Sequence, residues 1–334
     1  MGSLNCSKIK RLKIQNRKRN KIMLNSNKSD RRSLQLRPLG NTGEMVTLAG
    51  FGALEIGRNW GIGDKSSTLR PPSHIAESVL NYVLDVGITL IDTASAYHES
   101  ERRIGIAISH RRNEFFIASK CGEHNDYPNT YYDFSYDAVK KSIDRSLELM
   151  KIDTIDLMQI HFGPDAQKTI DEGQVIRAML DAQKDNKIRF LGASAWGDIA
   201  GQCIDMNIFD VMQLEYSLLN RSDENLIKKC TNKNIGVLVR GGLARGMLTP
   251  KYHTFNQYID EQHKLKIEGL LKIVDYDAEK LLALALHFLA RNQGVSSILI
   301  GAKRIEHIDM CLDLLDADMD DDLVEEASSI TAKN

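Results

Sequence analysis

The stretch "ITLIDTASAYHESERRIG", Ile88 to Gly105, passes from one kind of structure to another. It opens as a short apolar, β-branched run, Ile88 to Ala94. Asp92 stands near the end of that run, Tyr97 follows five positions later, and the chain then turns helical towards Gly105. A short apolar run that feeds a helically spaced segment is one strand-then-helix unit. The same unit recurs along the chain. VTLAGFG (Val46 to Gly52), EFFIASK (Glu114 to Lys120), IDLMQIH (Ile155 to His161), IRFLGAS (Ile188 to Ser194), FDVMQLE (Phe209 to Glu215), GVLVRGG (Gly236 to Gly242) and SSILIGA (Ser296 to Ala302) are runs of the same kind. Helical spacing follows them, as in Asp137 to Met150 with Ala138, Val139, Ile143, Leu147 and Met150. With the opening stretch these make eight units and predict a parallel (β/α)8 TIM barrel, an α/β fold. An open doubly wound sheet is the competing architecture, but it lacks the G-x-G-x-x-G fingerprint after the first run.

Bulk properties narrow the partners. A chain of 334 residues with a net charge of -1 and 27% charged residues has no overall nucleic-acid or membrane signature, so a small molecule is expected instead. Cys6, Cys121, Cys203, Cys230 and Cys311 are widely spaced and form no C-x-x-C pair. They read as reduced thiols in a reducing compartment, the cytoplasm. The apolar run Leu281 to Ala290 is about half the length of a membrane span and reads as a buried helix. Between Lys8 and Arg32 the basic residues face a single acid, Asp30. Residues 1–33 are therefore expected to be a basic, disordered leader, and residues 34–334 a single barrel domain.

A barrel should carry its functional residues at the C-terminal ends of its strands. Asp92, Lys120, His161, Ser194 and Gln213 all fall there. Singly, each has a structural reading as a helix cap or a solvated strand end. Together they offer chemistry. A phenol titrates near ~10, so Tyr97 becomes a proton donor to a carbonyl only if its anion is stabilised. A neighbouring ammonium, Lys120, would lower that value, and Asp92 would be the counter-ion a buried ammonium needs. His161 would bind the carbonyl oxygen. No side chain supplies a hydride, so a cofactor is implied.

These residues, in "IDTASAYHESERRIG", "IASK" and "IDLMQIH", resemble the aldo-keto reductase family. The resemblance implies a (β/α)8 barrel that binds NADPH, less often NADH, without a Rossmann fold. It implies Tyr97 as general acid, with Lys120, Asp92 and His161 around it, and an aldehyde or ketone as substrate. "GASAW" and "MQLEYSLLNR" resemble the family segments that clamp the nicotinamide carboxamide, here Ser194 and Gln213. Ala195 departs from the pattern because it has no amide. "VLVRGGLARGML" places Arg240 where relatives stack an aromatic ring, and its turn, with Gly241, Leu243 and Arg245, falls on the cofactor side. "SSILIGAKRIEHIDMCLDLL" resembles the segment that takes the adenosine 2′-phosphate through a short turn and a basic residue, here Gly301 and Lys303, with His307 and Cys311 at cofactor-side positions further along the helix. Lys303 and Arg304 favour NADPH, while His307 and Cys311 depart from the pattern and moderate that preference.

Arg240 either stacks on the cofactor ring, favouring the uncharged reduced form, or pairs with a nearby acid. The segment Cys121 to Phe134, rich in His, Asn, Asp and Tyr, would wall the mouth together with Asn59, Trp60, Asp64 and Trp196, and suits a hydroxylated carbonyl such as a sugar. Leu248 to Asp275 reads as a long functional loop. By resemblance it would fold over the cofactor pyrophosphate. Two other functions fit the same residues: a cofactor-binding regulatory subunit, and a barrel lyase or isomerase without net redox.

Overall fold

The structure, a computed structural model, describes residues 32–61, 68–255 and 259–332. Most of the expected leader, with Cys6, lies outside the described residues, as do Asp64 and part of the segment after the seventh barrel strand. The barrel unit is described by itself.

A hairpin comes first, β1 (Leu36–Pro38) against β2 (Met45–Thr47). The barrel strands are β3 (Ala49–Gly52), β4 (Leu90–Asp92), β5 (Phe116–Cys121), β8 (Ile155–His161), β9 (Ile188–Ser194), β10 (Val211–Glu215), β11 (Gly236–Arg240) and β12 (Ser297–Gly301). They pair in parallel in that order, and β12 pairs back onto β3 to close the ring. β6 (Glu123–Asp126) and β7 (Asn129–Tyr132) form a second hairpin directly after β5.

The helices between the strands are amphipathic, with buried faces turned to the barrel. Tyr136–Met150, for example, buries Val139, Ile143 and Met150. Ala278–Arg291, which contains the apolar run, buries Leu281, Leu282, Leu284, Leu286 and Leu289. Among the described residues no helix is long and apolar enough to cross a membrane.

The eight-strand barrel expected from the runs is present, with two local corrections. Val46 to Gly52 is not one strand. It divides at Leu48 into the end of the hairpin and the short first barrel strand. Leu248 to Asp275 is not a structureless loop, because Glu261–Ile273 is a helix capped by Asp260, which buries Ile267, Leu270 and Leu271.

Side chains alternate along each strand, so inward positions recur every second residue. One inward layer is apolar: Leu90, Ala118, Leu157, Val211 and Leu238 cluster with Leu39 and Val46 of the hairpin region and with Phe116. Two residues further along the same strands stand Asp92, Lys120, Gln159, Gln213 and Arg240. The polar layer therefore sits directly above an apolar floor, towards the C-terminal ends. The hairpin closes the opposite end. Arg37 is buried there and donates to the carbonyls of Asn292 (2.9 Å) and Val295 (2.8 Å), and also to that of Ala290, at the end of the helix leading into β12.

Candidate active site

Lys120 is the centre of the polar layer, and its ammonium is inaccessible to solvent. It donates to Asp92 Oδ2 at 2.5 Å, to the Thr93 carbonyl at 2.9 Å and to the Tyr97 hydroxyl at 3.2 Å. Three acceptors satisfy its three donors, the condition under which a buried ammonium persists. Asp92 is equally occupied. Its Oδ1 accepts from Gln159 Nε2 (3.0 Å) and Gln213 Nε2 (2.8 Å). The Ser194 hydroxyl in turn lies 3.3 Å from Gln213 Oε1. Gly192 leaves space for this network, because a Cβ there would come within 3.0 Å of the Gln159 side chain.

Tyr97 is carried by the loop after β4. The Tyr97 N–H bonds the Ala94 carbonyl, the Ser100 N–H bonds the Tyr97 carbonyl, and the Ser100 hydroxyl reaches across to the Ala53 carbonyl. The Tyr97 carbonyl lies so close to Gly57 that a Cβ there would be 2.2 Å away, so only glycine lets the loop settle on the turn after β3.

The expected lowering of the phenol is reversed in direction. Burial pushes Tyr97 above its ordinary value, and Lys120 opposes this without overcoming it. Burial would lower Lys120, but Asp92 and Tyr97 outweigh it and hold the ammonium above its ordinary range. The site thus keeps a protonated phenol against a charged lysine.

His161 ends β8 with its ring 6.0 Å from that of Tyr97 and nearly perpendicular to it. Its Nδ1 lies 2.9 Å from Glu123 Oε2. Burial and the Lys120 charge press the imidazole below its ordinary value. Burial would raise Glu123, but the close contact with His161, the hydrogen bond from Thr130 and the charge of Arg58 hold it at about 2.

The remaining residues lie at strand ends and on the segments that follow them. Arg240, at the end of β11, is paired with Glu215 at 2.6 Å. Beyond it, Gly241, Leu243 and Arg245 form a tight turn in which Ala244 and Arg245 both take left-handed conformations (φ +48° and +56°). Such strain persists only where the surroundings enforce it. Gly301 and Lys303 lie at the end of β12, before the helix Ile305–Asp316 that carries His307 and Cys311. Lys303 Nζ is 3.9 Å from Glu55, an acid of the turn after β3. Cys311 is part of the core, and burial pushes its thiol up to about 12, as it does that of Cys121. Trp60 and Trp196 are exposed, and Tyr132 packs over Gly163, two residues past His161.

Gln159, Glu123, Glu215 and Glu55 escaped the sequence reading. Gln159 and Glu215 had a usable signal, since each is two residues from an identified position on the same strand, His161 and Gln213, and so faces the same way. Glu123 and Glu55 had none. A hairpin and a turn bring them in.

Comparison with known proteins gives the family and the fold. Residues 50–332 match the model of the Aldo/keto reductase family. The chain is 27% identical over 297 residues to L-galactose dehydrogenase of Arabidopsis thaliana, covering 83% of this chain and 86% of that one. It is 25% identical over 252 residues to the NADH-specific methylglyoxal reductase of Escherichia coli, covering 66% and 77%. The fold is similar to that of the holo form of aldo-keto reductase AKR11C1 from Bacillus halodurans, with a TM-score of 0.74 at 23% identity, over 89% of this chain and 96% of that one. A closed eight-strand barrel with an aspartate, lysine and tyrosine joined at its mouth, matched over most of its length, belongs to the aldo/keto reductase family of oxidoreductases.

Proposed function

We propose that the chain is an NAD(P)H-dependent reductase of an aldehyde or ketone, with Tyr97 as the proton donor. One observation carries this reading: the buried Lys120 ammonium touches both the Asp92 carboxylate and the Tyr97 hydroxyl. A carbonyl oxygen seated between Tyr97 and His161 receives the Tyr97 proton as negative charge develops on it. Lys120 then faces the phenolate left behind, and Asp92 keeps Lys120 charged and in place. A bound nicotinamide supplies the hydride that completes the reduction.

The donor set suits that cofactor. A carboxamide carries two N–H donors, and Gln159 Oε1, buried without a hydrogen-bond partner, and Gln213 Oε1 are acceptors of the kind it needs. Gln159 thereby offers what Ala195 lacks. The turn with Gly241, Leu243 and Arg245 would hold the phosphates, and Lys303 with Arg304 supports NADPH. Glu55 beside Lys303 works against a further phosphate, so we read the preference for NADPH as modest, with NADH accepted.

A hydroxylated carbonyl fits the mouth. The guanidinium of Arg58 and the hydroxyl of Tyr132 offer polar contacts at its edge, and the exposed Trp60 offers a flat face. The resemblance to L-galactose dehydrogenase supports a sugar-like substrate. The test is a panel of aldoses, ketoses and short aldehydes with each nucleotide, comparing the native chain with Tyr97→Phe. Turnover by the native chain that collapses in the variant is expected. Tight nucleotide binding without turnover of any carbonyl would overturn the reading in favour of a regulatory subunit.

A further inference from the structure

Glu123 lies two residues past Cys121, the end of the strand that carries Lys120, and its side chain is 7% exposed. Thr130 Oγ1 donates to its Oε1 at 2.6 Å and Arg58 approaches the same oxygen at 3.4 Å, which leaves Oε2 turned to His161. Its backbone is fixed as well. The Ser95 hydroxyl bonds the Glu123 carbonyl at 2.7 Å, and Glu123 faces Tyr132 across the hairpin.

The His161 imidazole is 21% exposed, and its Nδ1 is buried. Its open edge is therefore the one that carries Nε2. Nδ1 has no well-aligned hydrogen bond, so its contact with Glu123 at 2.9 Å is electrostatic first.

Counting protons shows the consequence. A neutral imidazole has one N–H. With that proton on Nδ1, facing the carboxylate, Nε2 presents a lone pair and repels a carbonyl oxygen. With it on Nε2, the Nδ1 lone pair faces a carboxylate at contact distance. Only the imidazolium satisfies Glu123 and donates to a carbonyl together.

We propose that Glu123 is a positioning residue that makes His161 a carbonyl-binding donor only in its doubly protonated form, so that carbonyl binding takes up a proton. An alcohol, which brings its own O–H, binds the neutral form, with Nδ1–H towards Glu123 and Nε2 accepting. Reduction and oxidation thus use different protonation states of one side chain. This rests on the reductase reading.

The groups facing the imidazole are Glu123, Lys120, Asp92 and Tyr97. Burial and Lys120 disfavour the imidazolium, while Glu123 and Asp92 favour it. The empty site is consequently neutral above a pH lower than the ordinary histidine value, and KM for the carbonyl rises up to about tenfold per pH unit there.

The test is a titration of histidine-labelled full chain by 15N NMR, for the native protein, Glu123→Gln and Thr130→Val, paired with kcat and KM for carbonyl and alcohol across pH. Glu123→Gln is expected to lower the His161 titration by on the order of one pH unit or more and to move the carbonyl KM limb with it, leaving kcat largely intact. Thr130→Val, which loosens the hairpin and keeps the charge, should move neither by as much. Glu123→Asp should restore part of the shift. An unchanged His161 titration in Glu123→Gln would overturn the proposal. The NMR result stands whether or not any carbonyl turns over, so failure of the reductase reading is separately visible.

Discussion

The Tyr97 hydroxyl and the Lys120 ammonium meet at 3.2 Å, although one belongs to a loop and the other to a strand 23 residues later. Lys120 also lies 4.9 Å from the centre of the Tyr97 ring, so the cation contacts both the phenol's oxygen and its π face. Tyr97→Phe and Lys120→Met should each reduce carbonyl turnover by on the order of 10²- to 10⁴-fold. Nucleotide binding, followed by quenching of tryptophan fluorescence, should persist in both. Loss of binding in step with loss of turnover would move these residues from chemistry to scaffold.

Asp92→Asn leaves a fully buried ammonium without its counter-ion. Urea denaturation should give a loss of about 3–5 kcal/mol, the usual cost of stranding one member of a buried pair. Adding Lys120→Met should recover part of it. A double variant no more stable than Asp92→Asn would mean that Asp92 acts mainly through Gln159 and Gln213.

Glu123 should appear in the acid stability of the fold. Its carboxyl is held at about 2 against an ordinary 4.5, so it contributes stability that is complete above the ordinary value and is lost as pH falls towards 2. The native chain should therefore exceed Glu123→Gln in Tm near neutrality, with the gap closing between those two pH values. A gap that stays constant down to pH 2 would assign it to packing.

Cofactor choice should respond in opposite directions to the two ends of one ion pair. Lys303→Ala should weaken NADPH more than NADH, while Glu55→Gln should strengthen NADPH relative to NADH by a few-fold. Isothermal titration with both nucleotides measures each effect. Equal changes for the two nucleotides would place the 2′-phosphate elsewhere.

Glu215 offsets the charge of Arg240, so the native pair should discriminate little between oxidised and reduced cofactor, and Arg240→Ala, which leaves Glu215 uncompensated, should favour the oxidised form. Glu215→Gln frees the guanidinium and should favour the reduced form, because the oxidised ring is cationic. The ratio of the two dissociation constants, measured for all three proteins, decides it.

The barrel was legible because its signal is local and repeated. Eight β-branched runs with helices between them admit few other architectures, and Ile155 to His161 and Ile188 to Ser194 match their strands residue for residue. The boundary at Leu48 was hidden because the hairpin and the first barrel strand are both short and apolar, with no turn residue between them. Asp92, Lys120, Tyr97 and His161 were legible because strand ends project their side chains to one face. The direction of the Tyr97 shift was not, since it depends on how completely the loop buries the phenol. Glu123 was hidden because its partner, His161, lies on another strand and its orientation depends on Thr130 in the returning arm of the hairpin.

Arg37 and Leu39 close the end of the barrel opposite the polar layer, the one by holding helix carbonyls and the other by filling the apolar floor. The apolar seal and the polar chemistry of the barrel interior therefore occupy opposite poles. Loops at the mouth can drift, lengthen or exchange residues while the sealed pole supplies tolerance, which is the arrangement that lets one scaffold diversify its substrates through a lineage. Arg37 and Leu39 should evolve slowly for a reason that has nothing to do with any substrate.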